Sequence, residues 1–205
     1  MDIFQIIAVA AVGYILGSIS FAVIIARLNG KDIFQEGSGN PGATNVKRVC
    51  GKKAGNLTFA LDAFKGFVAT GWPMLMGVED PALLGIIGMI AAIVGHSFSV
   101  FIRFRGGKGG ATTMGGLLAL APLVLVMGVL TWVVVFYASR YVSLASIVFG
   151  ASLPLYALLL RSSGDPYLVP FFLLGLAVLI VVRHRSNLQR LLNGTENRFE
   201  RKKKS

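Results

Sequence analysis

Three segments set between long apolar runs carry the residue types that grip an anion. Gly37–Asn45 reads GSGNPGATN, so three glycines stand among the hydroxyls and amides of Ser38, Asn40, Thr44 and Asn45, and Lys47 and Arg48 follow at once. Phe101–Thr112 contains Gly106, Gly107, Lys108, Gly109 and Gly110, with Arg103 and Arg105 just before them. His184–Glu196 brings His184, Arg185, Asn187, Arg190 and Glu196 into one short stretch. Glycine lets backbone N–H groups approach a ligand closely, and an adjacent guanidinium or ammonium neutralises phosphate oxygens. The chemistry these segments could do is therefore the binding of phosphorylated molecules.

Two familiar phosphate motifs do not apply. Gly37, Gly39 and Gly42 match the spacing of a dinucleotide fingerprint, but no strand precedes them and no βαβ unit surrounds them. Around Lys108, a P-loop would need a glycine where Ile102 stands and a hydroxyl where Gly109 stands. Four further residues are candidates by placement. Asp62 and Lys65 lie three apart inside an apolar helix, where charge is costly and either functional or paired. His96 ends the helix before the second glycine segment. Ser143 opens a later helix, just after Arg140.

The elements that must position these groups are membrane helices. The chain has 205 residues, 55% of them hydrophobic and 14% charged, with a mean hydropathy of +0.72. That composition predicts an all-α integral membrane protein, a single polytopic domain over 1–205. Net charge is +11, but no soluble segment concentrates it as a nucleic-acid-binding domain would. Cys50 is the one cysteine, which excludes an intrachain disulfide and a cysteine metal cluster. The first apolar run has no basic start and no small-residue cleavage site, so it reads as a retained helix.

Apolar runs cover Ile3–Ala26, Leu57–Val78, Leu83–Phe101, Met114–Ala138, Val142–Leu160 and Leu168–Val182. Six full crossings would leave the basic tail on the wrong side of the membrane relative to the two basic loops. Pro122 interrupts the longest of the last three runs, and proline breaks a helix. Met114–Ala138 is therefore expected to form two short helices that enter and leave on the cytoplasmic side. About seven transmembrane or half-membrane helices result, with the N-terminus outside and the C-terminus cytoplasmic. Of the 20 Lys and Arg, only Arg161 then faces outside and Lys65 lies within a helix. Asp2, Glu79, Asp80 and Asp165 all fall outside. Arg183–Asn193 is expected to continue as an interfacial helix with His184 and Asn187 on one face. The basic tail 197–205 is expected to be disordered.

Taken by themselves, these features leave three readings open: an enzyme acting on phosphorylated substrates, a transporter of a phosphorylated metabolite, and a lipid-phosphate phosphatase or phosphotransferase. The motifs SGNPGATN, GHSF with FRGGKG, and HRSN with RLLNGTE, in this order along the whole chain, resemble the bacterial acyl-phosphate:glycerol-3-phosphate acyltransferase family. Gly110 is the visible departure, where relatives more often carry Val or Ala. The His with an Asp five residues on, used by acyl-CoA glycerolipid acyltransferases, is absent: Phe101 and Gln189 stand at those positions.

The resemblance implies an inner-membrane enzyme with its site facing the cytoplasm. It implies transfer of a fatty acyl group from acyl phosphate to the 1-hydroxyl of sn-glycerol 3-phosphate, giving lysophosphatidic acid and phosphate. No cofactor, no metal and no nucleic acid is expected, and a separate enzyme would supply acyl phosphate. On this reading Ser38, Gly39, Asn40, Gly42, Thr44 and Asn45, with Gly106, Gly107 and Gly109, hold phosphate groups. Arg48 and Lys108 neutralise them, and Ser143, His184, Asn187 and Glu196 surround glycerol phosphate. His184, Asn187, Lys108 and Ser38 are the expected catalytic residues, with His184 or His96 as a candidate base. Asp62, Lys65 and His96 are possible members of the site.

Overall fold

The computed structural model describes residues 2–77, 80–160 and 167–199. Glu79, Arg161 and Asp165, which the charge argument used, lie outside the described residues. Among those described, the chain forms ten α-helices and no strand. It falls into two compact units, Met1–Leu120 and Ala121–Ser205.

The first unit holds α1 (Ile3–Ser18), α2 (Phe21–Leu28), α3 (Ala43–Cys50), α4 (Lys52–Met74), α5 (Pro81–Ser97) and α6 (Gly110–Leu120). The run Ile3–Ala26, read from the sequence as one helix, is broken at Ile19-Ser20. Backbone freed inside a membrane must find a partner. Here Lys65 Nζ donates to the Ile19 carbonyl at 2.6 Å, and Ser99 Oγ donates to the Ser18 carbonyl at 2.5 Å. α4 begins five residues before its apolar run, because Lys52 and Lys53 extend it beyond the hydrocarbon. α1 packs on α5, and α4 packs on α5 and α6. Small residues make these contacts. A Cβ on Gly17 would collide with the Ala92 backbone, and one on Gly115 with the Ala63 carbonyl. Close backbone approach of this kind replaces the hydrophobic effect as the cohesive force between helices in lipid.

The second unit holds α7 (Pro122–Ser139), α8 (Val142–Leu159), α9 (Leu168–Arg183) and α10 (Arg185–Leu192). α7 buries only Val124 and Gly128 and exposes Leu123, Val126, Leu130 and Val134, as a lipid-facing helix does. It joins α8 through a 2.6 Å hydrogen bond between Thr131 and Tyr156 and a 3.3 Å bond from Trp132 to Ser146. α8 packs on α9, and the chain then bends by 58° at His184 into α10.

The break expected at Pro122 is present, between Leu120 and Pro122. The pair is unequal, however: α6 has 11 residues and α7 has 18, so only the first is a short helix. Proline sets φ at the start of α7 and favours a new helix there. Seven of the ten helices correspond to the expected apolar elements. The others, α2, α3 and α10, are amphipathic and eight residues long. Ile3–Leu28 taken across its break, α7 and α8 are each long and apolar enough to cross a membrane. The tail is ordered further than expected. Phe199 N–H donates to the Arg140 carbonyl at 3.1 Å and its ring meets Phe136 edge-on at 5.9 Å, so 197–199 are docked by an aromatic anchor the charge pattern concealed.

Candidate active site

In the first unit the glycine loop is shaped by Asn45. This side chain is buried on the inward face of α3, beside Val46 in a small core with Ala22, Val23 and Ile33. Its Nδ2 donates to the carbonyls of Ile33 (3.3 Å) and Glu36 (2.9 Å). Its Oδ1 accepts from Ser38 N–H (2.9 Å) and Arg48 (3.3 Å). Two donors and two lone pairs are the whole capacity of an amide. Asn45 therefore builds the loop, with its four hydrogen-bonding positions given to the chain. Gly37 lies at φ +64°, and a side chain there would strike Asn45 Oδ1. Ser38, Thr44, Lys47 and Arg48 remain exposed on the outer side of the loop and of α3, while Gly39, Asn40 and Gly42 are half-buried.

The second glycine segment is held against the first. Gly107 N–H donates to the His96 carbonyl at 3.1 Å. A Cβ on Gly107 would meet the His96 ring at Nε2 and the Pro41 carbonyl, so only glycine fits between α5 and the first loop. Gly109 sits at φ +80° and its carbonyl receives Thr113 N–H, opening α6. Lys108, half-buried, is thereby presented beside the first loop. Beneath lies the buried pair Asp62–Lys65 at 2.8 Å, with His96 Nδ1 3.7 Å from Asp62 Oδ1. Because Lys65 also holds the Ile19 carbonyl, the pair secures the broken helix, and His96 backs Gly107. These three residues position the site from below.

In the second unit a buried polar cluster gathers where α8, α9 and α10 meet. His184 Nδ1 lies 2.8 Å from the Ile180 carbonyl. A carbonyl can only accept, so Nδ1 carries the proton and Nε2 is the basic nitrogen. Asn187 Nδ2 donates to Glu196 Oε1 at 2.7 Å, and Arg190 Nε to Oε2 at 2.8 Å. Burial alone would raise the Glu196 carboxyl; the hydrogen bonds from Asn187 and Arg190, the nearby Ser143 hydroxyl and the Arg190 charge outweigh it and hold the group below the ordinary glutamate range. Ser143 Oγ is buried on the first turn of α8, near that carboxylate.

Glu196 thus braces Asn187 and Arg190, with one hydrogen bond to each of its oxygens. Arg190 was not among the expected site residues. Its signal was available, since it stands three residues from Asn187 on α10 and pairs with the nearest downstream acid. Among the described residues no three His, Cys, Asp or Glu converge as a metal site would require.

The first unit thus carries two glycine segments with adjacent cations, and the second a buried histidine–asparagine cluster. Residues 7–194 match the family described as Glycerol-3-phosphate acyltransferase. This chain belongs to that family. It is 45% identical over 190 residues to a glycerol-3-phosphate acyltransferase of Aquifex aeolicus, covering 91% of this chain and 95% of that one. It is 42% identical over 202 residues to one of Burkholderia cenocepacia, covering 98% and 94%. Among solved structures it is similar to PlsY (YgiH), an integral membrane glycerol 3-phosphate acyltransferase, in its glycerol 3-phosphate form. The TM-score is 0.87 at 40% identity, over 95% of this chain and 96% of that one. The lysophosphatidic acid form of PlsY gives 0.84 at 40% identity, over 95% of each chain. The chain is accordingly a membrane acyltransferase. In this acyltransferase, the expected site residues divide by exposure: Ser38, Thr44 and Arg48 are exposed, while Asn45, Ser143, His184 and Asn187 are buried.

Proposed function

We propose that this acyltransferase moves a fatty acyl group from acyl phosphate to the 1-hydroxyl of sn-glycerol 3-phosphate. Lysophosphatidic acid and inorganic phosphate leave, and the reaction begins phospholipid synthesis at the cytoplasmic face of a bacterial inner membrane. The observation that carries this reading is the pairing of Lys108 with the first glycine loop through Gly107. It makes one cationic, backbone-rich surface in a chain 40% identical to an enzyme solved with glycerol 3-phosphate. The reading takes residues 1–205 as a single polytopic domain.

The reaction needs no covalent acyl-enzyme, because acyl phosphate already carries a good leaving group. The glycerol oxygen attacks the acyl carbon, the carbon–oxygen bond to phosphate breaks, and the hydroxyl proton passes to a base. His184 Nε2 is the protein base, with a phosphate oxygen of the substrate as the alternative acceptor. Ser38, Gly39, Asn40 and Thr44, with the N–H groups of Gly106–Gly109, hold the phosphate of the donor. Arg48 and Lys108 neutralise charge that builds as phosphate leaves. Ser143, His184 and Asn187 orient the acceptor. Because acyl phosphate is a reactive mixed anhydride, an enzyme that makes it must work upstream.

The test is phosphate release by purified enzyme given palmitoyl phosphate, with and without glycerol 3-phosphate. Release that depends on the acceptor and collapses in Lys108→Ala supports the reading. Release without acceptor would replace it with phosphatase chemistry, and no release would replace it with transport.

A further inference from the structure

We infer that a basic cavity in the first unit, outside the glycine loops, is a binding site for the phosphate of an anionic phospholipid headgroup. The cavity has a volume of about 420 Å³ and lies between α2, the α2–α3 loop and the turn that precedes Gly106. Arg27, Lys31, Arg103 and Arg105 converge on it from these three places, against the one carboxylate of Asp32. That carboxylate is already engaged, since Asp32 Oδ1 accepts Phe34 N–H at 3.0 Å. Lys31 meets Glu36 at 3.2 Å, but both are substantially exposed, and such pairs exchange readily for a stronger anion. Among the described residues no ion pair is made by Arg27 or Arg103.

Two features separate this cluster from the ordinary cytoplasmic excess of cations. Topology requires a number of charges on one side, not their convergence on a cavity. The cavity is also built at a cost. Arg103 and Phe104 both occupy the left-handed region, at φ +58° and +56°, a conformation non-glycine residues rarely hold. That turn is fixed by Phe104 N–H to the Ser99 carbonyl (2.8 Å) and by Ser99 N–H to the Arg105 carbonyl (3.3 Å). It places Arg103 at the cavity, while Arg105 lies 4.3 Å over the Phe34 ring. Arginine forks of this kind match phosphate geometry.

The surroundings select a lipid as the source of the phosphate. Leu28 (81% exposed), Phe101 (63%) and Phe104 (64%) project around the same loops. Apolar and aromatic side chains beside cations are the composition of a membrane interface, where a headgroup meets cations and acyl chains meet rings. The occupant would sit close to the reaction without entering it, since Asn45 Nδ2 holds the Ile33 carbonyl on the cavity wall and Arg105 directly precedes Gly106.

The test uses the full-length enzyme in non-ionic detergent, titrated with phosphatidylglycerol or phosphatidylcholine, with bound lipid counted by native mass spectrometry. Phosphatidylglycerol is expected to be retained in preference. R27Q/R103Q should weaken that retention about tenfold or more, as loss of charge-assisted bonds to phosphate does. K52Q/K53Q removes the same two charges at the exposed start of α4 and should retain lipid as the wild type does. Should R27Q/R103Q not purify as a monodisperse protein, R27Q alone reads the same cavity from regular helical backbone. Equal retention of the two lipids, unchanged retention in the arginine variants, or an equal loss in K52Q/K53Q would overturn the assignment. Displacement of bound lipid by millimolar inorganic phosphate would also overturn it, in favour of a soluble anion. Because lipid retention is the readout, the result is independent of whether acyl transfer proceeds as proposed.

Discussion

Asn45 and Lys108 show two ways in which one residue serves an anion site. Asn45 gives all four of its hydrogen bonds to the chain, so its removal acts through the loop. Asn45→Ala leaves buried backbone carbonyls unpaired at about 1–3 kcal/mol each. We expect a lower melting temperature together with a raised KM for acyl phosphate, both read on purified protein. Lys108, half-buried beside the first loop, is proposed to neutralise phosphate charge. Lys108→Ala should lower kcat, measured as acceptor-dependent phosphate release, by about 10²–10³-fold, the usual loss for one preorganised electrostatic donor. Glu196 carries a pH signature. Its folded-state carboxyl lies below the ordinary range, so the stability it contributes is complete above the unfolded value of about 4.3 and is lost as pH falls through the folded value. Melting curves taken downward from pH 6 should show this acid loss in the wild type, and a smaller one in Glu196→Gln.

At the level of elements, the break at Ile19-Ser20 is the feature on which the first unit turns. It lets α2 leave the line of α1 and bring Ala22, Val23 and Ala26 under the glycine loop. The break is tenable because Lys65 and Ser99 take the freed carbonyls. Lys65→Met would strand both the Ile19 carbonyl and the Asp62 carboxylate, and removing one partner of a buried pair costs about 3–5 kcal/mol. We expect a marked drop in detergent-solubilised melting temperature, partly restored in Asp62→Leu/Lys65→Met. No restoration in the double variant would show that the Ile19 carbonyl, not the ion pair, dominates. Nothing in the apolar run Ile3–Ala26 marks this break, since Ser18 and Ser20 are common in membrane helices. The break at Pro122 was legible because proline removes a hydrogen bond wherever it stands.

For the whole molecule, the distribution of Lys and Arg argues for an outside N-terminus and a cytoplasmic C-terminus. In a Cys50→Ala background, a cysteine at Asp2 should react with a membrane-impermeant thiol reagent on intact spheroplasts, and one at Lys204 only after permeabilisation. The reverse pattern would sink the topology and with it the cytoplasmic site. The all-helical class, the apolar elements and the family were determined by the sequence alone. Each rests on composition or on short motifs whose chemistry is local. Which motif residues are buried and bonded to the chain was decided only by the tertiary structure. Asn45, Glu196 and the Asp62–Lys65 pair look like site residues in a string, because an amide or a charge bears the same letter whether it meets substrate or backbone. Their hydrogen-bond partners, Ile33, Arg190 and Ile19, lie up to 46 residues away in sequence, and only folding brings those groups within reach. The cavity of four cations has the same origin, since α2 and two separate loops contribute its charges and no spacing in the chain records their convergence.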